Sequence, residues 1–265
     1  MSSSKPRSAD LHPGPGFRIR VDYPRLDAAL IERLLEFDVP DISDSLNRLY
    51  ALDTSIRCQN NKPHTLCGSV CTVRVFPGDN LMVHKTLDIA QPGDIVVIDA
   101  HGDRSMNAVL GDLICAKAQH RGIAGFIVDG LVRDMPAIDE LDYPVFARGT
   151  TAVGPLHRGP GEINYPISCG GVVVNPGDVV VANAAGVVVV PHAHVEGVLE
   201  RLDADRERLA TYLAAVRRGV FSTAWVDNVL GENNCPIAEH ADPNASNPLP
   251  QISAGITHST EVSAI

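Results

Sequence analysis

The stretch LGDLICAKAQHRGIAGFIVDGLVRD holds the residues best suited to chemistry. Asp112 opens a helical pattern, and twenty residues separate it from the pair Arg133-Asp134. That pair follows GFIVDG, a short apolar run of the kind a buried strand shows. A strand–loop–helix unit brings a helix start and a strand end to one edge of a sheet. That edge is where α/β proteins bind ligands. The backbone N–H groups of Leu113 and Ile114 are expected there as free helix-start donors for a carboxylate. Arg133 offers a planar fork to the same anion. Asp134 is a hard oxygen ligand, suited to a magnesium-like ion that keeps most of its water. Asp112 can hold or deprotonate a water on such an ion. Gly111 and Gly130 permit close backbone approach at the pocket. Each residue also has an ordinary role. Asp at a helix start is usually a cap, and Arg-Asp after a strand is usually a solvated turn.

Other residues stand near this constellation. His84, in NLMVHKTL, is either a packed, hydrogen-bonded side chain or a substrate contact. His101 follows the IVVID run and precedes the Asp112 helix, so it is expected near the pocket as a substrate-binding residue. Asp103 and Asn107 share its loop. Asp44, in DISDSLNR, either caps a helix or lines the site. Cys115 lies one turn into the Asp112 helix without a base at defined spacing, which points to an ordinary thiol.

The elements that must position these residues are mixed. LIERLLEF is amphipathic, Pro40 is expected to break it, and Asp41 or Ser43 to cap a second helix, ISDSLNRLY. CGSVCTVRVF, IVVIDA, GFIVDG, YPVFARG, GGVVVNPGDVVVAN and GVVVVP read as strands. NLMVHKTLDIA, LGDLICAKAQHR and PAIDELD read as helices, and His194 to Arg218 as a long charged one that carries Glu196, Glu200 and Glu207. A Pro-Gly-Asp turn recurs at Pro77, Pro92 and Pro176, and the last two feed straight into strands. Residues 1–22 are expected as a flexible arm, 23–224 as the catalytic domain, and 225–265 as a tail that contacts a neighbour or stays loose.

Composition narrows the class. The chain has 265 residues, of which 45% are hydrophobic, enough for a substantial core. A net charge of −10 argues against nucleic acid as a partner, because phosphate binding wants clustered Lys and Arg. It leaves room for an anionic substrate held by one Arg. No apolar run has the length of a membrane span, and the N-terminus lacks a secretory core, so a cytoplasmic protein is expected. Cys67 and Cys71 lack a second pair at zinc-finger spacing, and all six cysteines are expected as reduced thiols.

The Asp–twenty residues–Arg-Asp spacing resembles the motif of the class II pyruvate aldolases in the regulator-of-ribonuclease-activity-A-like family. These include 4-hydroxy-4-methyl-2-oxoglutarate/4-carboxy-4-hydroxy-2-oxoadipate aldolase. DISDSLNRL, PGDNLMVHKTLDIAQPGDIVVIDA, RGIAGFIVDGLVRD, YPVFARG and GGVVVNPGDVVVANAAGVVVVP resemble family segments in family order. The resemblance implies an α/β fold, a swivelling β/β/α domain with a C-terminal helix and an irregular tail. It implies Arg133 on the carboxylate of a 2-oxo acid, Asp134 on Mg2+ or Mn2+, and Asp112 on a metal-held water. The Leu113 and Ile114 amides would complete the carboxylate site. It implies a homotrimer or homohexamer in which a carboxylate from a neighbour's C-terminal region joins the site. His101 departs from the family, where a small residue is usual, and so does Glu232-Asn233-Asn234. The implied activity is cleavage of a 4-hydroxy-2-oxo acid to pyruvate, with oxaloacetate decarboxylation beside it. The alternatives are another metal–enolate reaction on a hydroxy acid (hydration, isomerisation or elimination), or a non-catalytic regulatory protein.

Overall fold

The computed structural model describes residues 10–102 and 104–237. The chain divides into two compact units, Met1–Thr211 and Tyr212–Ile265.

The first unit is built around a strand that belongs to two sheets. β3 (Leu66–Val75) pairs through its first half, antiparallel, with β10 (Val179–Asn183). Through its second half it pairs in parallel with β4 (Ile95–Asp99). The parallel sheet continues through β5 (Gly125–Val132) to β6 (Val145–Thr150). β6 ends against the short β2 (Arg57–Cys58). On the other side β3 meets β7 (Gly161–Ile163), and β7 meets β1 (Phe17–Ile19) in parallel. β11 (Gly186–Val190) hairpins back on β10. β8 (Ile167–Cys169) and β9 (Val172–Val174) form a separate ribbon.

Both faces of the parallel sheet are covered, so its strands are apolar throughout rather than alternating. Val73, Ile98, Phe126 and Val128 pack on one face, under α3 (Leu81–Thr86), α4 (Asp112–His120) and α5 (Met135–Glu140). Val70, Val97, Ile127 and Phe146 pack on the other, against Val180, Val189, Val174 and Cys169. The far face of β10 and β11 carries a third core. It packs on α1 (Ala28–Leu34), α2 (Val39–Ser45) and the first turns of α6 (Val195–Arg217). The mixed α/β class expected from the sequence is the one found.

Two of the Pro-Gly-Asp turns close alike. The Asp94 carboxylate accepts from the Gln91 N–H, and the Asp178 carboxylate from the Asn175 N–H, just before β4 and β10. Asp79, in the first of the three turns, does something different. It accepts from the Leu81 N–H at the start of α3 and from the Arg158 N–H. That ties the loop after β6 to α3.

Three expectations change. Pro40 does not break a helix but sits in the first turn of α2, where its missing N–H costs no bond. Phe17–Ile19 is not a loose arm. Glu162 on β7 accepts from Arg18 and from the Gly16 N–H, and the Arg18 guanidinium lies 3.8 Å from the Tyr165 ring centre. Those partners are about 145 residues away, out of reach of a local reading. In the second unit, Ala224–Glu232 is helical (α7), so part of the tail expected to be irregular is not. Trp225, Val226, Val229 and Leu230 carry the helical spacing. Residues 1–9 of the expected arm and 238–265 of the tail lie outside the described residues.

All six cysteines are free thiols. No helix among the described residues is long and apolar enough to cross a membrane.

Candidate active site

The two halves of the motif meet because the chain just before α4 runs beside the end of β5. Ala108 bridges to Leu131 in parallel, Val109 N–H donates to the Leu131 carbonyl, and Arg133 N–H donates to the Leu110 carbonyl. This lacing sets Gly111-Asp112 directly against Arg133-Asp134. Asn80 holds the same segment from the other side, donating from Nδ2 to the Val109 carbonyl at 3.0 Å.

Gly111 makes the approach feasible. A Cβ on it would lie 2.4 Å from Asp134 Oδ2 and 3.1 Å from Arg133 Cγ. Its backbone is extended, at φ −150°, so the requirement is for space and not for a special torsion. Gly111→Ala is expected to push the Asp134 carboxylate and the Arg133 stem aside together. An ångström of misplacement of this kind costs about a hundredfold in rate. Steady-state kinetics beside a thermal melt would separate that loss from unfolding. Gly130, by contrast, admits Ala100 of the neighbouring strand and takes no part in the cleft.

Asp134 is one of the few non-glycine residues with positive φ, at 59°. Aspartate tolerates that region better than most side chains. The turn folds its carboxylate back onto Arg133, with Nε 3.1 Å from Oδ2. Both side chains are about 40% exposed, so this ion pair adds little stability of its own. Its effect is orientational. With Nε engaged, the terminal guanidinium nitrogens face the cleft. Gly154 gives them room, because a Cβ there would stand 2.8 Å from Arg133 Nη1. Asn107 holds that glycine in place by donating to its carbonyl.

The expected free amides are taken. Leu113 N–H donates to Asp112 Oδ1 at 2.7 Å, and Ile114 N–H to the Gly111 carbonyl at 3.1 Å. The N-cap of α4 is Gly111, and Asp112 is the first residue of the helix, with its carboxylate turned onto the next amide. A carboxylate ligand gains the Leu113 amide only by displacing the Asp112 side chain from it.

The cleft so formed has a volume of about 310 Å³. Asp112 and Arg133 line it with Asn80, His84, Pro155 and His157, and Asp134 adjoins it through its pairing with Arg133. Sequence analysis left His84 undecided and missed Asn80, Gly154 and His157. His157 Nδ1 lies 2.6 Å from Asn80 Oδ1. Because Asn80 Nδ2 already donates to Val109, its Oδ1 is an acceptor, so His157 Nδ1 is the donor of that pair. The His84 ring packs edge-on to His157 at 5.6 Å. Burial, then His157, then Lys117 hold the His84 imidazole below its usual pKa.

Cys115 is buried beneath the site. Burial, then the Asp112 and Asp134 carboxylates, push its thiol far above the ordinary range. It is an inert core thiol, as expected.

His101 is not in the cleft. It sits at φ 64°, its N–H bonded to Asp99 Oδ1 and its Nδ1 3.8 Å from that oxygen. Asp99 belongs to a row of charges across the sheet, Glu162, Arg74, Asp99, Asp129 and Arg148, in which the two neighbouring aspartates are each met by an arginine. The loop turns His101 toward this row because Gly102 N–H bonds the Asp129 carbonyl. Asp103, expected in the same loop, lies outside the described residues. Asp44, exposed on α2, pairs with Arg48 just beyond that helix, and Glu196, Glu200 and Glu207 are exposed on α6.

Among the described residues no group of three His, Cys, Asp or Glu side chains could hold a metal. A zinc-type site of three or four protein ligands is therefore not built here. Asp112 and Asp134 beside an open cleft do fit a magnesium-like ion, which takes one or two carboxylates and keeps its water.

A family model described as RraA-like, Aldolase/RraA, matches residues 39–189. The chain belongs to the RraA-like family. This RraA-like chain is 46% identical over 160 residues to a Halalkalibacterium halodurans protein named "Putative 4-hydroxy-4-methyl-2-oxoglutarate aldolase"; the match covers 60% of this chain and 75% of that one. A Hahella chejuensis protein of the same name is 32% identical over 157 residues, covering 59% of this chain and 94% of that one. The crystal structure of Streptomyces coelicolor RraAS2, described as an unusual member of the RNase ES inhibitor RraA protein family, superposes with a TM-score of 0.63 at 26% identity. It covers 72% of this chain and 99% of that one. The RraA-like family expected from the motif is thus the family found, and its relatives bear both aldolase and ribonuclease-inhibitor names.

Proposed function

We propose that this chain is a divalent-cation-dependent carbon–carbon lyase that splits a 4-hydroxy-2-oxo acid into pyruvate and a carbonyl fragment. The observation that carries it is the meeting of Asp112 and Arg133 on one cleft, with Asp134 paired to Arg133, from two elements laced together by the Ala108–Leu131 bridge and the hydrogen bonds beside it. The aldolase names of the relatives support the same class.

Arg133 binds the carboxylate of the 2-oxo acid with its terminal guanidinium nitrogens. Asp134 would hold Mg2+ or Mn2+, and Asp112 would act on a water beside it. When bound, the cation supplies Lewis-acid stabilisation of the negative charge that grows on the 2-oxo group. Asp112, through a water, takes the proton of the 4-hydroxyl. The C3–C4 bond breaks, its electrons pass into the pyruvate enolate, and the hydroxyl carbon leaves as a carbonyl. Returning a proton to C3 completes pyruvate and restores Asp112. Oxaloacetate yields the same enolate by losing carbon dioxide, so its decarboxylation is an expected side activity. We further propose that the protein works as a homotrimer or homohexamer. Support comes from the second unit, where Tyr212, Phe221 and Trp225 are each more than half exposed. Light scattering during size exclusion reads this directly, and an active monomer would rule it out.

The test is pyruvate release from 4-hydroxy-4-methyl-2-oxoglutarate and from oxaloacetate, coupled to lactate dehydrogenase. It is run with magnesium and with excess chelator. Magnesium-dependent pyruvate from the hydroxylated acid is expected, and folded, metal-supplied protein that releases none from either substrate sinks the proposal. A second reading, regulation of a ribonuclease, draws on the family description of RraAS2. Ribonuclease inhibition that survives both chelation and Asp134→Ala would favour it.

A further inference from the structure

The second unit leaves its apolar side chains uncovered. Tyr212, Val220, Phe221 and Trp225 are each more than half exposed, and no residue of α7 is buried. Trp225, Val226, Val229 and Leu230 recur at helical spacing, and Tyr212, Leu213 and Val216 do so at the end of α6. An apolar stripe on a helix packs against another element. A nine-residue helix standing alone is marginal in water, so α7 needs a surface to lie on. The unit lies beyond residues 39–189, the stretch matched by the family model.

Its charges are segregated by sign. From Tyr212 to Arg218 the only charged residues are Arg217 and Arg218, at the end of α6. After Arg218 the sequence has no Lys or Arg, and α7 carries Asp227 and Glu232. All four are exposed, and none has an ion pair among the described residues. Glu232 is the last residue of α7, at the negative end of the helix dipole, where an acid is unfavourable on its own. A second copy answers both signs at once. In a two-fold contact a patch meets itself, so the basic end of α6 in one copy faces the acidic α7 of the other, and the reverse. Residues 238–265 of the same chain could not do this. Their charged residues are Glu239, Asp242 and Glu261, which leave Asp227 and Glu232 unanswered.

We propose that the second unit is a two-fold pairing arm whose occupant is the same unit of another copy of this chain. The inference is independent of the lyase chemistry and deepens the homo-oligomer proposed above. A two-fold contact joins copies in pairs and cannot close a ring of three, so in a hexamer the arm is the link between two trimers.

Light scattering of the full chain at low ionic strength tests this, with the emission of Trp225, the single tryptophan, as an independent reading. Arg217→Glu with Arg218→Glu makes the arm acidic throughout, and Asp227→Lys with Glu232→Lys makes it basic throughout. Each doubly substituted chain is expected at about half the wild-type mass, with Trp225 emission moved to longer wavelength as the indole becomes wet. An equal mixture of the two restores mass and emission, because the mixed pair regains both opposite-sign contacts. Either variant alone at wild-type mass, or a mixture that stays apart, would overturn the proposal. So would Trp225 emission that does not change on dissociation, since another surface would then be covering α7. All four positions are exposed, so the substitutions disturb no core. The homo-oligomer reading fails separately. A trimeric wild type untouched by either variant keeps that reading and loses the pairing arm, and a wild type of two copies does the converse.

Discussion

Arg133→Lys is expected to lower kcat/KM for the proposed 4-hydroxy-2-oxo acid substrates by about a hundredfold, mostly through KM. The positive charge survives the change, so simple attraction of the anion is not what is lost. Lysine has no fork, and a carboxylate bound by two parallel donors falls back to a single contact. It also has no Nε to lie against Asp134 Oδ2, so the 3.1 Å link that orients the side chain goes as well. Truncating one partner of a charged, hydrogen-bonded pair costs on the order of 2–5 kcal/mol. The low end of that range corresponds to the loss expected for a change that keeps the charge. Pyruvate, used as a competitive inhibitor, should weaken by a similar factor. Inhibition constants within threefold of wild type would remove Arg133 as the carboxylate anchor.

Asp134→Asn is expected to have the larger effect on the proposed turnover, a loss of about a thousandfold or more in kcat. Asparagine is nearly isosteric and also tolerates the positive φ of this position, so the turn after β5 should persist. What disappears is the negative oxygen that a hard cation requires. The freed Arg133 then bears an unbalanced charge at the cleft, but both groups are about 40% exposed and water screens the difference. Melting should therefore stay within a few degrees of wild type while Mn2+ binding, followed by its paramagnetic signal, falls sharply. A variant that binds Mn2+ as wild type does would dismiss Asp134 as the ligand. One that loses the metal and keeps its turnover would dismiss the metal.

The site was legible where chemistry and local periodicity coincide. Asp112 lies at a helix start, Arg133-Asp134 follows a buried strand, and Gly111 must be small; each of these is a local statement, and each holds. His101 failed because proximity along the chain is not proximity in space. Its loop turns toward Asp99 and Asp129, away from the cleft that opens only a few residues later. His157 and Asn80 were invisible for the converse reason. They are 77 residues apart and meet because the loop after β6 is tied to the start of α3, by the Asp79 carboxylate and by backbone bonds between Leu156 and Gly78–Asn80. The Leu113 and Ile114 amides show a third limit. Sequence identifies helix-start donors, but whether a side chain already occupies them depends on its rotamer.

By itself, then, the amino-acid sequence determined the mixed α/β class, the apolar strands covered on both faces, the inert cysteines and the spacing of the acid–arginine–acid motif. These follow from hydrophobic period, turn chemistry and residue type, which are local properties of the chain. Tertiary structure alone decided which residues share the cleft and that Phe17–Ile19 completes the sheet. Those outcomes rest on hydrogen bonds and packing between segments far apart in sequence, and no local pattern encodes their partners.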